Sequence, residues 1–140
     1  MKNLKRLGYL VLIVSIGLIA SCTKEQLVLK ILEGEWDVNS VVVDGVPQPT
    51  SSYKDQVYIF DKCDETDEVC YGRIKDESNN SKVEFSYQIG ETLDDFTLSY
   101  SGNFDEGFIY DVDEHTPTKF IYSFTDTIGS KTTISLDKRD

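Results

Sequence analysis

The sequence has few of the residues that metal centres and nucleophilic active sites use. It contains one histidine and three cysteines among 140 residues, whereas a structural zinc site takes four such ligands. The histidine, His115, lies in the turn-forming run Asp113-Glu114-His115-Thr116-Pro117. The chain also has neither a Gly-x-Ser-x-Gly elbow nor a glycine-rich phosphate loop after a strand. We therefore expect no catalytic residue, no metal and no cofactor, and predict that the protein is not an enzyme.

Basic residues are also scarce. The chain has 14 lysines and arginines against 25 aspartates and glutamates, and its formal net charge is −11. Nucleic acids and anionic membrane surfaces repel such a chain. We therefore predict no nucleic-acid partner, whereas binding of cations or of a basic protein stays open.

No segment between Gly34 and Asp140 has helical periodicity over a length that could cross over between parallel strands. Apolar and polar residues instead alternate, most clearly over 83–89, 96–100 and 120–124. Five further runs alternate less regularly and are also predicted to be strands: 36–43, 55–62, 69–76, 107–112 and 131–136. The pattern predicts an all-β fold of eight antiparallel strands in an up-and-down meander, closed into a barrel; a β-sandwich is the alternative.

The first residues have the pattern of a secretory signal. Lys2, Lys5 and Arg6 precede an uncharged apolar run over 7–20 that ends in small residues. This run is shorter than the roughly 20 residues of a membrane-spanning helix, so a permanent transmembrane anchor is the weaker alternative. We predict a signal peptide over 1–21, and its removal would leave 11 basic residues against 25 acidic ones, a formal charge of about −14.

The end of this segment, Ile19-Ala20-Ser21-Cys22, resembles the bacterial lipobox, in which the cysteine is acylated and becomes the new N-terminus. The resemblance implies a lipoprotein that is anchored to a membrane through the lipid on Cys22. Several acyl chains anchor a protein stably, whereas one binds only marginally. Thr23, where some lipoproteins carry an aspartate, resembles the signal for sorting to the outer membrane. We therefore expect a lipid-anchored protein of the cell envelope.

Residues 22–33 are predicted to form the lipidated N-terminus and a short helix. Thr23 and Gln26 have the spacing of a capping box, and the apolar residues after them follow helical spacing as far as Gly34. A frayed tether is the alternative. Residues 34–140 are then long enough for a single β domain with a core of its own.

The order of these parts resembles the lipocalin-like lipoproteins: a lipobox, a short helix, Gly34-Glu35-Trp36 at the head of the first strand, and a β-meander. The resemblance implies an up-and-down barrel in which Trp36 closes the helix-capped end and packs under a basic residue near the last strand. Arg139 is the candidate for that basic residue.

Cys63 and Cys70 flank a polar turn between two predicted strands. Export would place both in an oxidising compartment, where disulfides form and persist. We predict a disulfide between them, which closes a loop of eight residues and contributes about 2 to 2.5 kcal/mol in the loop-entropy model.

Aromatic residues give the clearest indication of function. An eight-stranded barrel is filled by side chains or holds one small ligand, and a buried tyrosine hydroxyl needs a partner or a cavity. The candidate ligand-binding residues are Trp36, Tyr87, Tyr100, Tyr110 and Tyr122. The sequence predicts an envelope lipoprotein that binds a small apolar or amphiphilic ligand. The alternative is a structural or interaction protein with a filled barrel that docks onto another envelope protein.

Overall fold

The structure, a computed structural model, describes residues 24–64, 66–67, 69–90 and 94–140. These residues form one α-helix, α1 (Lys24–Leu32), two short 3-10 helices (Thr50–Ser52 and Phe104–Glu106) and nine strands. The strands are β1 (Gly34–Val43), β2 (Val46–Pro47), β3 (Gln56–Phe60), β4 (Cys70–Asp76), β5 (Ser81–Ile89), β6 (Asp95–Ser99), β7 (Phe108–His115), β8 (Lys119–Thr125) and β9 (Lys131–Lys138).

The strands form a closed antiparallel barrel. From β3 to β9 each strand pairs with the next along the chain, β3 pairs with β1, and β1 pairs with β9 from Trp36↔Lys138 to Val43↔Thr132. This last pairing removes both edges of the sheet. The predicted eight-stranded meander barrel is therefore confirmed, and the sandwich alternative was wrong because β1 is long enough to bridge the two ends of the sheet.

The structure has nine strands where eight were predicted, and the additional strand is β2. Asp44 and Gly45 both have positive φ, 50° and 79°, as a two-residue hairpin turn requires. The chain therefore folds back directly after β1, and β2 pairs with the end of that strand.

Helix α1 packs against the barrel end at which β1 begins and β9 ends. Its apolar residues Val28, Leu29 and Leu32 are buried in the same core as Trp36. The short helix predicted before Gly34 is confirmed, and it covers this end, which we call the closed end. Because the buried side chains of this core run from Val28 to Leu136, the chain from Thr23 onward contains the complete core described here.

The interior of the barrel is dominated by aromatic rings. The closest ring pairs are Phe96 with Tyr110 at 5.0 Å and Phe96 with Tyr122 at 5.2 Å between centroids. The rings of this aromatic core are those of Trp36, Tyr58, Phe60, Phe85, Tyr87, Phe96, Tyr110, Phe120, Tyr122 and Phe124. They fill the barrel from the closed end through its middle.

At Gly72 on β4, a side chain would clash with the aromatic core. A Cβ there would lie 2.6 Å from the ring of Phe85 and 2.7 Å from the carbonyl oxygen of Ile59. The missing side chain therefore makes room for the Phe85 ring.

Candidate functional site

The barrel has an open end opposite α1, and a cavity lies there. It is open to solvent, and its volume of about 470 Å³ is within the range of small-molecule sites. The residues that line it come from β3, β4, β5 and the segment after β6: Gln56, Ile74, Asp76, Ser81, Val83 and Tyr100. We call this the mouth cavity.

Cross-strand register arranges these residues in two rows. Asp76 lies directly opposite both Gln56 on β3 and Ser81 on β5. One step deeper, Ile74 lies opposite Tyr58 and Val83 in the same way. Directly opposed residues project from the same face of a sheet, so a polar row forms the rim and a mostly apolar row lies below it.

The apolar part of the mouth is exposed. Val83 is 52% exposed, Tyr100 47% and Phe108 54%, and the rings of Tyr100 and Phe108 meet with centroids 6.2 Å apart. A contiguous exposed apolar patch is one mark of an interaction site. The mouth is therefore compatible with ligand binding.

Tyrosine hydroxyls lie in the middle of the barrel. Tyr58 and Tyr122 share a hydrogen bond; burial raises the pKa of Tyr58 to about 12 and holds the pKa of Tyr122 well above its ordinary value. Burial also raises the pKa of Tyr110 and Tyr100. All four phenols are therefore neutral at physiological pH and can donate a hydrogen bond but supply no charge.

The mouth cavity carries a single charged group among the described residues that line it, the carboxylate of Asp76. This carboxylate accepts hydrogen bonds from the backbone N–H of Ser78, 2.9 Å away, and from the side-chain amide of Asn79, 3.3 Å away. Hydrogen bonds from Ser78 and Asn79 hold the pKa of Asp76 below its usual range. The group is therefore ionised at neutral pH.

The five aromatic residues predicted to bind a ligand lie at different depths. Tyr100 lines the mouth cavity. Tyr110 and Tyr122 belong to the packed middle of the barrel, where their rings meet at 5.3 Å. Trp36 and Tyr87 are fully buried in the aromatic core. The structure thus brings one of the five to the cavity, and the role of all five in binding stays a prediction.

Sequence reasoning missed the other lining residues of the mouth cavity. Val83 was part of the predicted alternation in β5, and its place at the open end of that strand was the available signal. Gln56, Asp76 and Ser81 come from three different strands and lie at turns. Nothing in the order of the residues shows that they meet.

At the closed end, Trp36 connects the barrel to α1. Its indole N–H donates to the carbonyl oxygen of Leu32 at 2.7 Å. The ammonium of Lys138 lies 5.1 Å from the indole ring centroid and donates to the carbonyl oxygen of Ile31 at 2.9 Å. Both contacts satisfy carbonyl groups that the end of a helix leaves free.

The basic residue over Trp36 is therefore Lys138, and the expectation of Arg139 was wrong. Strand alternation explains the difference: Lys138 is paired with Trp36 and projects from the same face, whereas Arg139 projects from the other. Arg139 instead binds acidic residues on the outside of the barrel, Asp37 at 2.6 Å and Glu77 at 3.1 Å.

Cys63 and Cys70 form a disulfide, as predicted, with Cα atoms 5.5 Å apart. It joins the segment after β3 to the start of β4, and both cysteines are buried beside the aromatic core. Tyr87 lies opposite Cys70 on β5. The disulfide therefore belongs to the closed half of the barrel, remote from the mouth cavity.

In the part of the chain that the structure describes, no group of three or more His, Cys, Asp or Glu residues is placed to hold a metal ion. His115 is exposed on β7. No helix among the same residues has the length and apolar character that crossing a bilayer requires. The predicted signal peptide over 1–21 and the predicted lipidation at Cys22 lie outside the described residues.

No protein-family model matches the chain, and no curated protein does. Among solved structures, the chain is similar to a redesigned β-barrel at 17% identity and a TM-score of 0.49, over 86% of this chain and 100% of that one.

Proposed function

We propose that the protein is a lipid-anchored component of the bacterial cell envelope that binds a small amphiphilic molecule in the mouth cavity. The observation that carries the proposal is the cavity itself, whose polar rim lies above an apolar row. An amphiphile would place its tail against Ile74, Val83 and Tyr100 and its head group at the rim. On this proposal the protein is a binding module and catalyses no reaction.

The anchor is supported by the sequence and by the position of α1. The lipobox-like run ends at Cys22, and the helix begins two residues later at Lys24. The resemblance to lipocalin-like lipoproteins gains support from Trp36, which packs under a basic residue at the helix-covered end. We propose the outer membrane as the site of the anchor, because Thr23 follows the cysteine.

A dye titration tests ligand binding. An environment-sensitive apolar dye is added to the soluble chain from Thr23 onward. A dye of about 20 non-hydrogen atoms, at about −0.3 kcal/mol per atom, should bind with a Kd on the order of 50 µM. Single-chain amphiphiles should displace it.

Two matched variants locate the dye. Val83→Asp places a charge against the apolar row of the mouth cavity and should weaken dye binding by about fivefold or more, because a charge resists burial. Ile109→Asp makes the same chemical change at a residue that is 67% exposed outside the cavity lining, and it should leave binding unchanged. Equal effects of both variants, or no uptake by the folded wild type, would contradict binding in the mouth.

A second candidate function is docking onto another envelope protein. The packed aromatic core and the exposed side chains of Val83, Tyr100 and Phe108 favour it, because a filled barrel with an apolar surface patch is suited to a protein partner. Mass spectrometry of what co-purifies with the delipidated protein separates the candidates. A stoichiometric small molecule supports the first, and a stoichiometric protein supports the second.

A further inference from the structure

We infer that the mouth cavity selects amphiphiles with a cationic head group over those with an anionic one. This inference rests on the proposed function and names the class of its ligand: a single apolar chain or ring that carries a primary or quaternary ammonium. The juxtaposition that carries it is a carboxylate in the polar rim, one step above an apolar row, in a cavity that a half-exposed tyrosine ring also lines.

The depth of the cavity determines how such a ligand is oriented. Below the row of Tyr58, Ile74 and Val83, the next step inward is occupied by the rings of Phe60 and Phe85, whose centroids are 5.7 Å apart. A polar head group pushed to this depth would lose its water without gaining partners. The head group must therefore remain at the rim, beside Gln56, Asp76 and Ser81.

The charge at the rim is negative. Asp76 is the charged member of the polar row, and its neighbours Gln56 and Ser81 are neutral. The basic residues of β4 and β5 are Arg73, Lys75 and Lys82. Lys75 lies opposite Lys82 and Arg73 lies opposite Glu84, so alternation directs all three to the outer face.

Both lysines are also occupied there. Lys82 is 2.8 Å from a carboxylate oxygen of Glu84, and Lys75 is 3.8 Å from one of Glu77. An anionic head group at the rim would therefore meet a carboxylate without a compensating cation among the lining residues, whereas an ammonium group would be attracted.

Two features of the rim strengthen the preference. Donors from the turn at Ser78 and Asn79 keep Asp76 ionised and fix its position. The ring of Tyr100 lines the same cavity and is half exposed, and the face of an aromatic ring attracts an ammonium group within about 6 Å. A carboxylate and an aromatic face on one small cavity are complementary to a cation.

The experiment compares three amphiphiles with the same dodecyl chain: dodecyltrimethylammonium, dodecanoate and the neutral dodecyl maltoside. Each displaces the dye from the soluble chain at concentrations below its micelle threshold. We expect the ammonium compound to bind about three- to tenfold more tightly than dodecanoate. Added salt should reduce this ratio, because the rim is open to solvent.

A pair of variants distinguishes the rim carboxylate from the overall acidity of the protein. Asp76→Asn removes the rim charge, and its amide oxygen can still accept the hydrogen bond from Ser78. Glu84→Gln removes the same charge from the exposed outer face. The preference for the ammonium compound should disappear in Asp76→Asn and persist in Glu84→Gln.

Each other outcome overturns a specific statement. If dodecanoate competes as well as the ammonium compound, or if both variants lower the preference equally, the selectivity of the mouth is wrong and the proposed binding function stands. If none of the three compounds displaces the dye from the folded protein, or the dye itself does not bind, the proposed function fails and this inference fails with it.

Discussion

Replacing Tyr87 with phenylalanine should make the protein more stable. The Tyr87 side chain is fully buried, and its hydroxyl has no hydrogen-bond partner among the described residues. A buried polar group without a partner costs about 1 to 3 kcal/mol relative to water. Phenylalanine removes that group and keeps the edge-on contact with the Phe60 ring, whose centroid is 5.3 Å away. We expect the free energy of unfolding to rise by about 1 kcal/mol, or the melting temperature by about 3 to 5 °C.

Tyr122→Phe is the matched control. Tyr122 is as deeply buried, but its hydroxyl shares a hydrogen bond with Tyr58. Removing it should lower stability by about 0.5 to 1.5 kcal/mol, because the Tyr58 hydroxyl loses its partner. Urea unfolding followed by the fluorescence of Trp36, the one tryptophan of the chain, measures both variants. Destabilisation of similar size in the two would show that the Tyr87 hydroxyl has a partner, such as an ordered water, and would refute the reasoning.

Three further predictions concern the disulfide, the anchor and the outer ion pairs. Reduction of Cys63–Cys70, or replacement of both cysteines by serine, should lower the free energy of unfolding by about 2 to 2.5 kcal/mol; an unchanged urea midpoint would contradict this. Cys22→Ala should move the protein from the membrane fraction to the soluble one, and acylated, membrane-bound variant protein would refute the anchor. The hydrogen bond from Arg139 holds the pKa of Glu77 below its ordinary value. The stabilisation from this pair is therefore present at neutral pH and is lost as the pH falls through the lowered pKa. In Arg139→Ala, the free energy of unfolding should therefore fall less steeply as the pH is lowered below about pH 5. An unchanged pH dependence in this range would show that the pair contributes nothing to stability.

The barrel could be predicted from the sequence because its signals are local. Alternation over Val83–Ile89 and Phe120–Phe124 identifies both the strands and the residues on their inward faces. The absence of a crossover helix then requires antiparallel neighbours. Closure of the sheet into a barrel was the one predicted feature that local patterns do not determine. It depends on the pairing of β1 with β9, which are far apart in the sequence.

The mouth cavity could not be predicted because it depends on register. Period two shows that Asp76 and Ser81 project from one face of their strands, but it does not show that both lie opposite one another and beside Gln56. The same limit explains why the basic residue over Trp36 was misplaced. Lys138 and Arg139 are adjacent and both positive, and a shift of one residue exchanges the inner face for the outer.

The two halves of the barrel differ in how deeply their side chains are buried. Toward the closed end, Trp36, Phe120 and Leu136 are fully buried, and their contacts lock the helix and the last strand to the first. At the open end, Val83 and Tyr100 are about half exposed, so replacing them removes little buried surface. Substitutions at the mouth should therefore change binding while leaving the unfolding midpoint almost unchanged, which makes a loss of binding there interpretable as a loss of contact with the ligand.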